Sequence, residues 1–303
     1  MNLNIEPVPP FDLDLSARLF SEGDGRIRRY EAGRYWQVIR LNERLALATV
    51  QSLGTVDEPS ITVELEPDEG ISEQEEMAAR ASIIKIFNLN LDLGPFYSSV
   101  KIDKVMSRLT RALRGLRSPS TTSAFEALID SIIEQQISLN AAWSVQRRLT
   151  EAFGDVLVLG DRKYYAFPTA ESLASATVEG LRACGLSGRK AEYIRDASRL
   201  VADGLDLEGL KVRKDEEIIG ELGRIRGVGL WTAELTMVRG MQKFDAIPAD
   251  DLGIRRALSH YYYGDRKISG TEARRTAEQW KGWRGLASFY LIMAERLKIE
   301  VDI

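Results

Sequence analysis

The chain has 303 residues, 44% of them hydrophobic and 28% charged, with a formal net charge of −4; these are the proportions of a folded protein of two or three domains. A single histidine, His260, and a single cysteine, Cys184, exclude a Cys/His zinc site, a four-cysteine iron–sulfur cluster, an intrachain disulfide and an H-E-x-x-H helix. Any chemistry therefore falls to carboxylates, hydroxyls, lysine, arginine and aromatic rings.

Residues 1–10 carry no arginine or lysine, and no apolar run approaches a membrane span. One free thiol suits a reducing compartment, so a soluble, cytoplasmic protein is expected. Charge is uneven: residues 1–76 hold 16 Asp and Glu against 7 Arg and no Lys, net −9, which leaves net +5 for residues 77–303. The acidic part is β-rich. Trp36–Leu41, Leu45–Val50 and Ile61–Glu66 are short runs of branched and aromatic residues between turn formers. Ile61, Val63 and Leu65 alternate onto one face, which predicts an antiparallel sheet with one covered side. Ser72-Glu-Gln-Glu75 has the capping-box pattern and opens a helix running to Phe87. Beyond about residue 72 nearly every segment has a helical pattern. The expected fold class is α+β, a small antiparallel β-rich domain followed by a mainly α-helical body.

Lys101, Lys104, Arg108, Arg111, Arg114 and Arg117 recur every three or four residues, which places them on one helix face. A solvated face is the simpler account and a phosphate-contacting stripe the alternative. The next helix begins after Ser118–Ser123, where Phe125, Leu128, Ile129, Ile132 and Ile133 form a buried stripe whose continuation falls on Gln136. A glutamine ending a core stripe needs a hydrogen-bonded partner or a place at an interface. Further on, Gly227-Val-Gly229 forms a hairpin between two helices, and Trp231, Leu235 and Val238 set the second helix's face. Glycines permit close backbone approach, and the amides of a helix's first turn suit a phosphate, although such corners also use glycine for packing alone. Pro248 closes the next segment, and Asp250 or Asp251 is placed to N-cap a helix through Tyr263. A carboxylate held by backbone donors at a helix start is a fixed negative charge, suited to a reaction that develops positive charge beside it.

Four stretches resemble, in order and spacing, the helix–hairpin–helix (HhH-GPD) DNA glycosylase superfamily, and within it the AlkA-type 3-methyladenine DNA glycosylase II group. They are Phe125-Glu-Ala-Leu…Ile-Glu-Gln-Gln-Ile-Ser138, Arg226-Gly-Val-Gly-Leu-Trp-Thr-Ala-Glu234, Pro248-Ala-Asp-Asp-Leu-Gly-Ile-Arg-Arg256 and Trp280-Lys-Gly-Trp-Arg-Gly-Leu-Ala287. The resemblance covers roughly residues 125–297. It implies hydrolysis of the N-glycosidic bond of an alkylated purine flipped out of duplex DNA, as in base excision repair. Asp251 falls on the family's catalytic aspartate, with Asp250 ranked second. Trp231 stands where bifunctional relatives carry an amine nucleophile, which implies an enzyme without lyase activity and suggests that the indole helps wall the base pocket. Trp283, Phe125 and Phe289 are further pocket candidates, whereas Trp280 reads as core.

Gln136, with Gln135 beside it, lies where the family places the residue that wedges into the duplex. The hairpin at Gly227, Val228 and Gly229 would hold a phosphate, with Arg226 where the family has proline, and with Arg189 and Lys190 of Ser187-Gly-Arg-Lys190 as further contacts. No cofactor is required, though a monovalent cation could sit on the hairpin carbonyls. The expected partner is damaged double-stranded DNA, without a membrane, and the expected state is a monomer. The implied domains are 1–82, α+β and TBP-like; 83–120 with 247–303, helical; and 121–246, helical, with the helix–hairpin–helix at about 218–240. Deaminated, oxidised or etheno purines (hypoxanthine, 8-oxoguanine, ethenoadenine) are alternative substrates. A non-catalytic helix–hairpin–helix DNA-binding module is the rival reading, and a protein-binding scaffold the third.

Overall fold

The computed structural model describes residues 1–42 and 44–301. Its N-terminal part is a five-stranded antiparallel sheet of β1 (Asn2–Ile5), β2 (Arg28–Glu31), β3 (Arg34–Leu41), β4 (Arg44–Ser52) and β5 (Ile61–Glu66), in the order β1-β5-β4-β3-β2. The period-2 pattern sets which face is covered. Ile61, Val63 and Leu65 are buried while Thr62, Glu64 and Glu66 are not. Val63 sits between Leu3 of β1 and Val50 of β4 in register. This face packs, together with the short helix α1 (Leu13–Ala17), on α2 (Glu73–Phe87) through Ile83, Ile86 and Phe87. Each fully buried aliphatic or aromatic side chain contributes about 1.5–3 kcal/mol. Ser72 and Glu75 complete the capping box at the start of α2.

The helical body comprises α3 (Gly94–Val100), α4 (Lys104–Ala112), α5 (Ala124–Glu134), α6 (Leu139–Phe153), α7 (Ala170–Ser175), α8 (Val178–Ala183), α9 (Gly188–Ala202), α10 (Leu207–Leu210), α11 (Asp215–Leu222), α12 (Leu230–Met241), α13 (Leu252–Tyr263), α14 (Gly270–Ala277) and α15 (Arg284–Arg296). It has two cores of its own. One joins residues 93–116 to residues 247–294, and the other is built from residues 124–246.

Three expectations need correction. The N-terminal core runs on through Phe87 to Leu89, because α2 is the helix that covers the sheet, so that domain does not end at residue 82. The segment 121–246, expected to be helical, also holds a hairpin of β6 (Val156–Leu159) and β7 (Arg162–Tyr165). Leu157 and Ala166 pack against Val38 and Leu47, so the second face of the sheet is covered there as well. Finally, Arg117 leaves the basic stripe. It is fully buried and its guanidinium donates to the carbonyls of Asn88, Val8 and Pro10, whereas the other five cations stay exposed.

Candidate active site

Helix α5 decides where the cleft lies. Ser123 Oγ accepts from the Glu126 amide at 3.0 Å and starts it. Phe125, Leu128, Ile129, Ile132 and Ile133 belong to the core that α5 shares with α9 and α12. The acidic positions, Glu126, Asp130 and Glu134, follow at four-residue steps and so stack on a single face. That face lines a cleft of about 570 Å³, a volume usual for small-molecule sites, about 300–1,000 Å³. The walls come from all three parts of the chain: Leu19, Phe20 and Arg28 from the N-terminal domain, α5, α6 and α12 from one helical core, and Asp251 with α15 from the other.

Asp251 is the N-cap of α13, in extended backbone conformation. Its Oδ1 accepts from the amides of Gly253 at 2.8 Å and Ile254 at 3.1 Å. Among the described residues Oδ2 takes no hydrogen bond, and the half-buried side chain lines the cleft. The turn before it is fixed by the Asp251 amide, which donates to Pro248 O at 2.8 Å. Asp250 is exposed and lies against Gly270 of α14, outside the cleft lining.

Opposite charges meet on the acidic face of α5. Arg28 Nη1 donates to Glu126 Oε1 at 2.9 Å, and its other nitrogen approaches Asp130 Oδ2 only to 3.8 Å. Arg239 Nη1 of α12 donates to Glu134 Oε1 at 2.6 Å. Asp130 is therefore the middle carboxyl of three, and each neighbour has its own arginine. It is 3% exposed, and its Oδ1 has no hydrogen-bond partner. Burial, reinforced by Glu126 and opposed by Arg28, pushes its carboxyl up to about 8.

The aromatic lining departs from the expected set. Phe289 lines the cleft, together with Trp143 of α6, Phe20 and Phe167. Trp231, Trp283 and Phe125 do not. Trp283 stacks on Phe244 at 6.4 Å and packs against Phe96, a core role set by its place just before α15. Phe125 points into the other core, edge-on to Phe167. Trp231 is half-buried in the first turn of α12, outside the lining. Trp280 is buried and donates to Asp103 Oδ2 at 3.0 Å. Sequence reasoning missed Trp143. Its signal was the helical spacing of Leu139, Trp143, Arg147 and Thr150, all on the cleft face of α6.

At the hairpin, Gly227 has φ +87°, and a Cβ there would lie 2.2 Å from the Tyr193 ring. Gly229 caps α12 without a side-chain hydrogen bond, which leaves first-turn amides available to an anion. Val228 is buried between the two glycines. Two cations assigned to phosphate are otherwise engaged. Arg226 pairs with Glu192 at 2.8 Å and Asp196 at 3.2 Å, and covers Tyr193. Lys190 Nζ donates to the carbonyls of Ile133 and Gln135, where desolvation lowers its pKa. Arg189 remains exposed.

Gln135 Nε2 bonds to Gly227 O at 2.9 Å and Thr232 Oγ1 at 3.0 Å, tying the end of α5 to the hairpin. Gln136 is not on the buried stripe, because α5 stops at Glu134; it sits exposed with φ +55° at the tip of the α5–α6 loop. The carbonyls of Ile225 and Gly227 already accept hydrogen bonds, so neither is left wholly open for a monovalent cation. No cluster of three or more metal-ligating side chains occurs among the described residues. His260 pairs with Asp265 at 3.0 Å and Cys184 is buried, both outside the cleft lining. No helix is long and apolar enough to cross a membrane among the described residues.

Known proteins resemble this chain in sequence and in fold. A DNA-3-methyladenine glycosylase of Bacillus subtilis (strain 168) is 34% identical over 206 residues, 68% of each chain. The solved 3-methyladenine DNA glycosylase from Archaeoglobus fulgidus superposes with a TM-score of 0.85 at 30% identity, covering 98% of this chain and 99% of that one. An 8-oxoguanine glycosylase/lyase of Clostridium acetobutylicum, solved with double-stranded DNA, shares the fold with a TM-score of 0.77 at 23% identity, covering 99% of each chain. Residues 129–282, which hold the end of α5, the hairpin and Asp251, match the model of the HhH-GPD superfamily of base excision DNA repair proteins. The chain belongs to that superfamily.

Proposed function

We propose that this protein is a DNA glycosylase that hydrolyses the N-glycosidic bond of alkylated purines of the 3-methyladenine type, drawn out of the duplex into the cleft. The observation that carries this reading is Asp251, a carboxylate with one oxygen locked by two amides and the other free, set in an aromatic-lined cleft. As the bond from C1′ to the base nitrogen breaks, its electron pair leaves with the base and positive charge develops on the sugar. A fixed carboxylate beside that charge lowers the barrier, and water then adds at C1′. An alkylated, cationic purine leaves as a neutral base and needs no proton. Trp143 and Phe289 offer aromatic faces from the two helical cores, which attract such a cation.

Glycosylase action without lyase chemistry is part of the proposal. Trp231 has no amine, and among the described residues no lysine lines the cleft. The first-turn amides of α12 with Arg189 hold the DNA backbone, and Gln136 enters the gap left by the departed base. The partner is damaged duplex DNA, bound by a monomer that needs no cofactor. Duplex oligonucleotides carrying 3-methyladenine, hypoxanthine, 1-methyladenine or 8-oxoguanine test this, compared for strand breaks with and without hot alkali. The expected result is breakage of the 3-methyladenine duplex only after alkali, reduced about 10²–10³-fold in Asp251→Asn, the scale of losing one transition-state electrostatic contact. Breaks without alkali overturn the monofunctional assignment, and full activity of Asp251→Asn overturns the mechanism. Duplex binding without release of any lesion favours a binding module.

A further inference from the structure

The row of acids on α5 is not needed to stabilise a cationic sugar, since Asp251 already stands in the cleft. Two of its members have structural work, because Glu126 and Glu134 are each held by an arginine, and Glu126 also accepts from the Thr122 amide at 3.0 Å. Asp130 has none. It lines the cleft, is more than nine-tenths buried, has an unpartnered Oδ1, and approaches Arg28 only to 3.8 Å. A buried carboxyl between two carboxylates sheds its charge by keeping its proton. A protonated carboxyl is a donor, and a donor in the wall of a ligand cleft is satisfied when a ligand offers it an acceptor.

Building on the glycosylase reading, we propose that Asp130 is a proton donor to the leaving base, which lets this cleft release neutral purines as well as cationic ones. The bond from C1′ to N9 breaks with its electron pair going to the purine ring. The Asp130 proton passes to a ring nitrogen, so the base departs neutral. Water bonds to C1′ and gives up one proton, and Asp130 recovers its own from solvent, so charge and atoms balance. A purine alkylated on a ring nitrogen already carries the positive charge and bypasses the step. The groups around Asp130 that set its proton are Glu126 and Glu134 on its own helix, Arg28 of β2 and Arg239 of α12. Asp251, and Arg147 of α6, line the same cleft. With its carboxyl pushed up to about 8, Asp130 holds its proton at neutral pH, and the protonated fraction falls about tenfold per pH unit above that value.

The test compares single-turnover release of hypoxanthine and of 7-methylguanine from otherwise identical duplexes, from about pH 6 to pH 9.5, by the full chain and by Asp130→Asn. In the wild-type protein the ratio of hypoxanthine to 7-methylguanine release is expected to fall as pH rises through about 8. In Asp130→Asn, which keeps the shape but has no acidic proton, the ratio drops about 10²–10⁴-fold at pH 6, the scale of general acid catalysis, and its pH dependence disappears. An unchanged ratio in Asp130→Asn overturns the inference. So does release of 7-methylguanine alone, or a flat wild-type ratio; that wild-type profile decides the matter if the variant fails to fold. Release of neither lesion by a protein that still frees 3-methyladenine overturns the inference alone, and release of none of the three overturns the glycosylase reading itself.

Discussion

At the scale of single residues, the cleft separates two carboxyls by environment. Asp251 is held by backbone donors at a helix start, and Asp130 is buried beside other acids. The second arrangement carries a stability signature independent of DNA. Folded Asp130 keeps a proton that the unfolded chain gives up near pH 4, so between about pH 4 and pH 8 the folded state binds more protons. Its contribution is full below that window and is lost as pH rises through it. Asp130→Asn is therefore expected to gain stability relative to the wild type as pH is raised from about 5 to about 8. Urea unfolding at several pH values reads this directly, and parallel pH profiles for the two proteins would contradict the assignment. Asp251 was legible in the sequence because proline, aspartate and the helix after it are local features. Asp130 was not, since its meaning depends on Arg28, far away in the chain and brought close only by tertiary packing.

Elements carry the next level of control. Helices α11 and α12 meet at a glycine pair, and Gly227 places backbone against the Tyr193 ring with φ +87°. A methyl group there faces both the ring and an unfavourable backbone angle, so Gly227→Ala is expected to cost about 1–3 kcal/mol. The ring cannot give way freely, because Arg226 covers it. Thermal unfolding measures the loss, and fluorescence anisotropy with labelled duplex should show weaker binding as the hairpin amides shift. Glycine-valine-glycine announced this corner plainly. What the sequence withheld was the fate of the neighbouring cations, since Glu192, Asp196 and the end of α5 claim Arg226 and Lys190. The β6–β7 hairpin was legible in principle: Val156–Leu159 is a branched run followed by Gly160-Asp161, a two-residue turn signature. It was obscured by the helical pattern on either side.

For the whole molecule, Arg117 has an architectural role that charge counting misread. Its guanidinium is fully buried and gathers carbonyls from Val8, Pro10 and Asn88, which joins the N-terminal sheet domain to the start of the helical body. Burial pulls its pKa down to about 10, so it remains charged at neutral pH. Arg117→Met keeps most of the volume and leaves the carbonyls of Val8 and Pro10 unpaired, at about 1–3 kcal/mol for each one stranded. The expected outcome is a lower urea midpoint and loosening between the domains, seen as faster amide exchange at Val8 and Asn88. An unchanged midpoint would show that water replaces the guanidinium without penalty.

The helical core beside Asp251 is stitched from residues 93–116 and residues 247–294, with the other core spelled out between them. During synthesis its first half waits while the whole intervening unit emerges and folds, because domains fold as units from the N-terminal end. Arg28 and α5 are in place early, whereas Asp251 and Phe289 arrive last. The nascent chain therefore passes through a long interval in which it can hold its shape around α5 yet has no working cleft. Competence comes as a single late event, when the final helix brings Phe289 in beside Asp251 and α5.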